Sequence, residues 1–143
     1  MLKFDKEKLN DFAKKADIKF AVLFGSRAVE RVADESDFDL AVSLKDGKSV
    51  FDDLERYSEM LENFAKIFSA NEDKIDITDL NNANILLRYE ITKNGVLLFG
   101  DPQDYEELKS FSFRDYVDAK PLFDLEDKII KKRLSFIKEN LAV

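Results

Sequence analysis

Apolar residues recur along the chain with two periods. Over residues 3–16 they fall at Leu9, Phe12 and Ala13, one side of a helix. Residues 19–24 (KFAVLF) form an apolar, β-branched run that predicts a buried strand, and 38–44 (FDLAVSL) predict a second, ended by Asp46 and Gly47. A short helix or turn over 29–36 bridges them. From 50 to 70, Val50, Leu54, Tyr57, Leu61, Phe64 and Phe68 stand three or four residues apart, which predicts a long helix with one buried face. Core packing accounts for that aromatic stripe without a cofactor. Residues 74–80 (KIDITDL) alternate as a third strand, with Ile75 and Ile77 on one face and Asp76 and Thr78 on the other. A helix over 82–92 carries Arg88, and 95–99 make a short fourth strand closed by Asp101 and Pro102. Two helices follow, at 103–117 and 123–141. The last spaces Leu125, Ile129, Ile130, Leu134, Ile137 and Leu141 in helical register. Such a helix either folds back onto its own sheet or docks a partner; self-packing is the expectation.

At 143 residues the chain suits one domain with one core, here 1–143 with a helical C-terminal extension over 103–141. It has no cysteine, which excludes disulfides and thiolate metal sites. It has no histidine, which excludes Ser-His-Asp and Cys-His arrangements and imidazole bases, so acid–base work falls to Asp, Glu, Lys or Tyr. A net charge of −7 argues against general nucleic-acid binding. Lys128, Lys131, Lys132, Arg133 and Lys138 cluster in the tail, where a solvated helix face is the expected reading over a binding patch. No signal peptide is apparent and no apolar run approaches membrane-spanning length, so the expected compartment is the cytoplasm, with no membrane partner.

Residues 24–42 hold the candidate chemistry. Asp37 and Asp39 flank Phe38 at the start of the second strand, and residues two apart in a strand project to one side. Two like charges so placed cost free energy unless a proton or cation lies between them, and hard divalent ions prefer carboxylate oxygen. An acidic strand end in solvent would look the same. Gly25 ends the first strand where the backbone turns sharply, and Ser26 stands at the start of a short helix whose hydroxyl and N–H groups can receive phosphate oxygens. A serine-capped turn explains Gly25 and Ser26 but leaves the convergent aspartates unexplained. Asp76, mid-strand after a long crossover helix, is the natural third carboxylate. Asp79 points the other way, to cap the next helix or stay solvated.

The pattern Gly25-Ser26, ten residues, Asp37-x-Asp39, then Asp76 on a later strand resembles the DNA polymerase beta-like nucleotidyltransferase superfamily. More closely, it is similar to the MNT-type minimal nucleotidyltransferases, the antitoxins of HEPN–MNT toxin–antitoxin pairs. Residues 75–81 (IDITDLN), 86–91 (LLRYEI) with 95–99 (GVLLF), and 115–118 (DYVD) continue that likeness in order. The resemblance implies an α/β (α+β) fold with a short mixed sheet flanked by helices. It implies ATP as substrate, Mg²⁺ as cofactor with two ions, and AMP transfer to a hydroxyl with release of pyrophosphate. The acceptor would be a tyrosine of a HEPN-family toxin, an RNase silenced by the modification. Gly25 and Ser26 would hold the triphosphate, and Asp37 and Asp39 would bind metal. Asp76 would share the second ion and help deprotonate the acceptor. Arg27 would neutralise phosphate charge, or stand as an ordinary surface arginine. One departure is local: Val29 and Glu30 replace the Arg-Gly usual in the family, which should weaken attraction to a triphosphate if that loop faces it. Two other readings are a binding-only antitoxin and an antibiotic-type transferase acting on a small molecule. The apolar tail fits a homo-oligomer or a hetero-oligomer.

Overall fold

Asp5 starts the first helix. Its carboxylate accepts a hydrogen bond from the Lys8 backbone N–H at 3.1 Å, so α1 runs Lys6–Lys15 and buries Leu9 and Ala13. The computed structural model describes residues 3–25, 28 and 37–141. The bridge expected over 29–36 lies outside the described residues. β1 (Ile18–Phe24) pairs antiparallel with β2 (Phe38–Leu44). The helix expected from residue 50 starts later, because Asp53 accepts from the backbone N–H groups of Glu55 and Arg56 at 3.0 and 3.3 Å. That cap sets α2 at Leu54–Phe68, and Ser69, in a left-handed conformation (φ 53°), ends it.

A short 3₁₀ turn, Glu72–Lys74, leads into β3 (Ile75–Asp79), which joins β2 in parallel. A parallel pair needs a crossover, and α2 supplies it. Asn84 caps α3 (Ile85–Asn94) by accepting from Leu87 N–H at 2.9 Å, three residues beyond the expected start. β4 (Val96–Phe99) then adds antiparallel to β1, giving a mixed sheet in the order β3-β2-β1-β4.

Each face of the sheet has its own core. α1 and α2 cover one, where Leu9, Leu23, Leu40, Met60 and Phe64 are fully or almost fully buried. Fully burying one such side chain stabilises by about 1.5–3 kcal/mol. On the other face Phe20, Val22 and Ala41 meet Ile91 of α3 and Tyr105 of α4 (Pro102–Leu141). β1 serves both because its register with β2 shifts between Ile18 and Phe20. After that irregularity Ala21 and Leu23 share the face of Ile18, while Phe20 and Val22 take the opposite one.

The C-terminal region departs from expectation in two ways. The two expected helices are one helix of 40 residues, about 60 Å long. Pro121 lies inside it and removes the N–H that would bond to the Val117 carbonyl. Contacts across the proline keep the helix continuous: Lys120 pairs with Asp124 at 3.2 Å, and the Tyr116 and Phe123 rings lie 6.3 Å apart. The first third of α4 packs on α3 through an Arg88–Asp115 ion pair at 2.9 Å and stacked Tyr89 and Tyr116 rings at 4.0 Å. The rest does not fold back onto the sheet as expected. A helix reverses only at a break, and no glycine follows Gly100. Among the described residues no helix is long and apolar enough to cross a membrane.

Candidate active site

Phe38 decides where the carboxylates point. Its ring is buried and stacks on Phe68 of α2 with centroids 4.6 Å apart. Because strand side chains alternate, fixing Phe38 toward the α1/α2 core turns Asp37 and Asp39 to the opposite face. Asp39 therefore shares the face of Ala41, and β3 repeats the device. Ile75 and Ile77 are buried in the α1/α2 core, which turns Asp76 outward. The parallel register of β2 and β3 then sets Asp39 directly beside Asp76.

Asp39 is half-buried, while Asp37 and Asp76 are exposed. Burial pushes the Asp39 carboxyl above the ordinary carboxylate value; the charges of Asp76 and then Asp37, and a hydrogen bond with the Asp76 side chain, push the same way. Crowding by the neighbouring carboxylates disfavours charge on Asp39, and a bound cation would relieve it.

Gly25 closes the site from β1. Phe24 is the residue paired with Asp39, and Gly25 follows it with φ at 75°, a left-handed conformation that glycine adopts without strain. An added Cβ there would overlap Asp39 Oδ2. Ser26 and Arg27, expected to bind nucleotide, lie outside the described residues, as do Val29 and Glu30.

The donor set is oxygen only and anionic, which suits a hard divalent cation. Among the described residues no three acidic side chains close around one point tightly enough to hold an ion by themselves. What exists is the Asp39–Asp76 pair, with Asp37 acting on it through charge. Mg²⁺ is usually held by one or two carboxylates together with substrate phosphates, and the pair fits that mode. Grooves of about 620 Å³ beside Lys19 and Gly100, and about 650 Å³ between α1 and α2, lie elsewhere.

Asp79 neither caps the next helix nor stays solvated. It is 7% exposed and accepts from the Asn81 backbone N–H at 3.3 Å and from the Asn82 side-chain amide, which ties down the turn before α3. Asn81 carries that turn to β2 by accepting from the Ser43 hydroxyl at 2.7 Å. Sequence reasoning passes over Asn81 and Phe38; the alternation of 38–44 was the available signal for Phe38.

Comparison with known proteins agrees with this architecture. Residues 7–104 match the family described as "Polymerase beta, Nucleotidyltransferase". Over 98 residues the chain is 33% identical to the protein adenylyltransferase MntA of Aphanizomenon flos-aquae (strain 2012/KM1/D3), a match covering 61% of this chain. The chain thus spans 60% of that relative's length. A crystal structure of a toxin–antitoxin with AMP-PNP contains a chain that superposes with a TM-score of 0.68 and 20% identity, over 88% of this chain and 98% of that one. In a structure of a tri-AMPylated Shewanella oneidensis HEPN toxin in complex with MNT antitoxin, the corresponding TM-score is 0.62 at 20% identity, over 87% of this chain and 95% of that one. At these identities the two structures establish the fold. With more than half of its length matched by the family model, the chain belongs to the polymerase beta nucleotidyltransferase family.

Proposed function

We propose that the protein is a Mg²⁺-dependent adenylyltransferase that moves AMP from ATP to a tyrosine hydroxyl of a HEPN-family toxin, and so acts as its antitoxin. The observation carrying this reading is the Asp39–Asp76 carboxyl pair, set side by side by the β2–β3 register and pressed against Gly25. The 33% identity to a protein adenylyltransferase supports it, as does the likeness in fold to structures that contain AMP-PNP or an AMPylated HEPN toxin.

Asp37, Asp39 and Asp76 would hold Mg²⁺. When bound, two such ions stabilise the attacking and leaving oxygens of an in-line displacement. Gly25, without a Cβ, leaves room for the Asp39 carboxylate, and Gly25, Ser26 and Arg27 would bind the triphosphate. The acceptor oxygen attacks the α-phosphorus, the bond to the β-phosphate oxygen breaks, and pyrophosphate leaves. Asp76, the more exposed carboxylate of the pair, takes the hydroxyl proton. No histidine is needed. We read the chain as one catalytic domain with most of α4 as an extension, working in the cytoplasm.

Incubation with MgATP and a HEPN-family toxin should add the mass of AMP to that toxin. Asp37→Asn combined with Asp39→Asn should abolish the adduct. Equal behaviour of wild type and double variant, with no adduct in either, would refute the reading. Neutralisation surviving in the double variant would point instead to antitoxin action by binding alone.

A further inference from the structure

Beyond Val117, α4 carries a wide apolar face that no other described part of the chain covers. Leu122 is 63% exposed, Leu134 60% and Phe136 66%, and Leu125, Ile129, Ile130 and Ile137 are exposed as well. Contiguous apolar surface of this kind marks an interaction site. The charges on the same stretch are unevenly divided. Ahead of the midpoint between Ile129 and Ile130 stand Asp118, Asp124, Glu126 and Asp127 with Lys120 and Lys128, and after it Lys131, Lys132, Arg133 and Lys138 with Glu139, so the first half is net acidic and the second net basic.

We propose that residues 118–141 pair antiparallel with the same stretch of a second copy of this chain, about a two-fold axis passing between Ile129 and Ile130. About that axis seven of the twelve facing pairs match, apolar with apolar or acid with base. Ile129 meets the other copy's Ile130, Leu125 meets Leu134, Leu122 meets Ile137, and Phe123 meets Phe136. The charges match in the same register, with Glu126 opposite Arg133, Asp127 opposite Lys132, and Lys120 opposite Glu139. Two-fold symmetry forms each pairing twice. The one like-charged pair, Lys128 with Lys131, is relieved because Asp127 already holds Lys131 at 2.9 Å within its own helix. Parallel pairing would lay acidic half on acidic half and basic on basic. Charge complementarity therefore selects the antiparallel copy.

Sedimentation velocity and light scattering on the full chain test this directly, with an expected mass of twice 16.5 kDa. Ile129→Asp with Ile130→Asp should return it to monomer while helix content and core unfolding stay unchanged, since both side chains are exposed in their own chain. Glu126→Arg and Arg133→Glu should each weaken the dimer, and the two together should restore it. The chain has no cysteine, so single introduced thiols report orientation cleanly. Mixed Leu125→Cys and Leu134→Cys chains should cross-link to each other, and neither variant should cross-link to itself. Preferential self-cross-linking would overturn the proposal. So would a wild-type chain that stays monomeric at every concentration and associates only with a different protein.

Discussion

Gly25 and Asp39 constrain each other, and the consequences are measurable. Gly25→Ala forces a Cβ into left-handed backbone, a cost of about 1–2 kcal/mol, and drives it against the Asp39 carboxylate. We expect a lower melting temperature and loss of AMP transfer; a variant with wild-type turnover would contradict the placement. Asp39 also predicts a pH dependence. Its folded-state pKa lies above the ordinary 3.8, so the folded state holds that proton more tightly than the unfolded chain does. The stability this provides is complete below about pH 3.8 and is lost as pH rises through the higher folded value. In EDTA, wild type should therefore lose stability relative to Asp39→Asn across that window, and Mg²⁺ should reverse the loss at neutral pH. A parallel pH dependence of the two melting curves would deny the carboxyl coupling. A third residue-scale outcome concerns Tyr105, whose buried hydroxyl lacks a hydrogen-bond partner among the described residues and whose pKa burial pushes up to about 12. Relieving an unsatisfied group of this kind is worth about 1–3 kcal/mol, so Tyr105→Phe should raise stability in denaturant titration. That Asp39 and Asp76 come side by side on one face of the sheet was legible in the sequence because strand alternation has a period of two. The role of Asp79 was not, because its partners Asn81 and Asn82 act through a turn whose geometry no periodicity encodes.

Among the elements, β2 carries the most information. Phe38 sets its facing by stacking on Phe68, so Phe38→Ala should cost about 3–5 kcal/mol in urea unfolding and loosen the carboxylate pair as well. An exposed-residue cost, below about 0.5 kcal/mol, would show that facing is fixed elsewhere. The strands and the long crossover helix were readable from 3.6- and 2-residue periods, whereas their ends were not. Asp5, Asp53 and Asn84 fix the helix starts by accepting backbone N–H groups, and many other Asp and Asn residues in this acidic chain offer the same chemistry. Helix α4 defied the reading of 118–122 as a break, because contacts on both sides of Pro121 carry the helix through. Its apolar register was legible; the absence of a fold-back was not, since periodicity marks a face without naming what covers it.

At the scale of the molecule, a mixed sheet with a core on each face leaves one end of β2 and β3 free to present carboxylates, while α4 extends away with its apolar face exposed. The proposed chemistry and the proposed association thus fall in separate parts of the chain. Ile129→Asp with Ile130→Asp should leave the melting transition of the sheet domain in place, whereas Phe38→Ala should lower it. The central claim concerns which phosphorus is attacked. Wild type is given a HEPN-family toxin with Mg²⁺ and ATP labelled either at the α- or at the γ-phosphate, and the toxin's tyrosines are analysed. The account predicts α-label on a tyrosine, γ-label only in pyrophosphate, and at least about 100-fold less transfer by Asp37→Asn with Asp39→Asn, a barrier increase of roughly 2.7 kcal/mol. Transfer of the γ-label, or no α-label on the partner while the protein is folded and binds it, would contradict that claim.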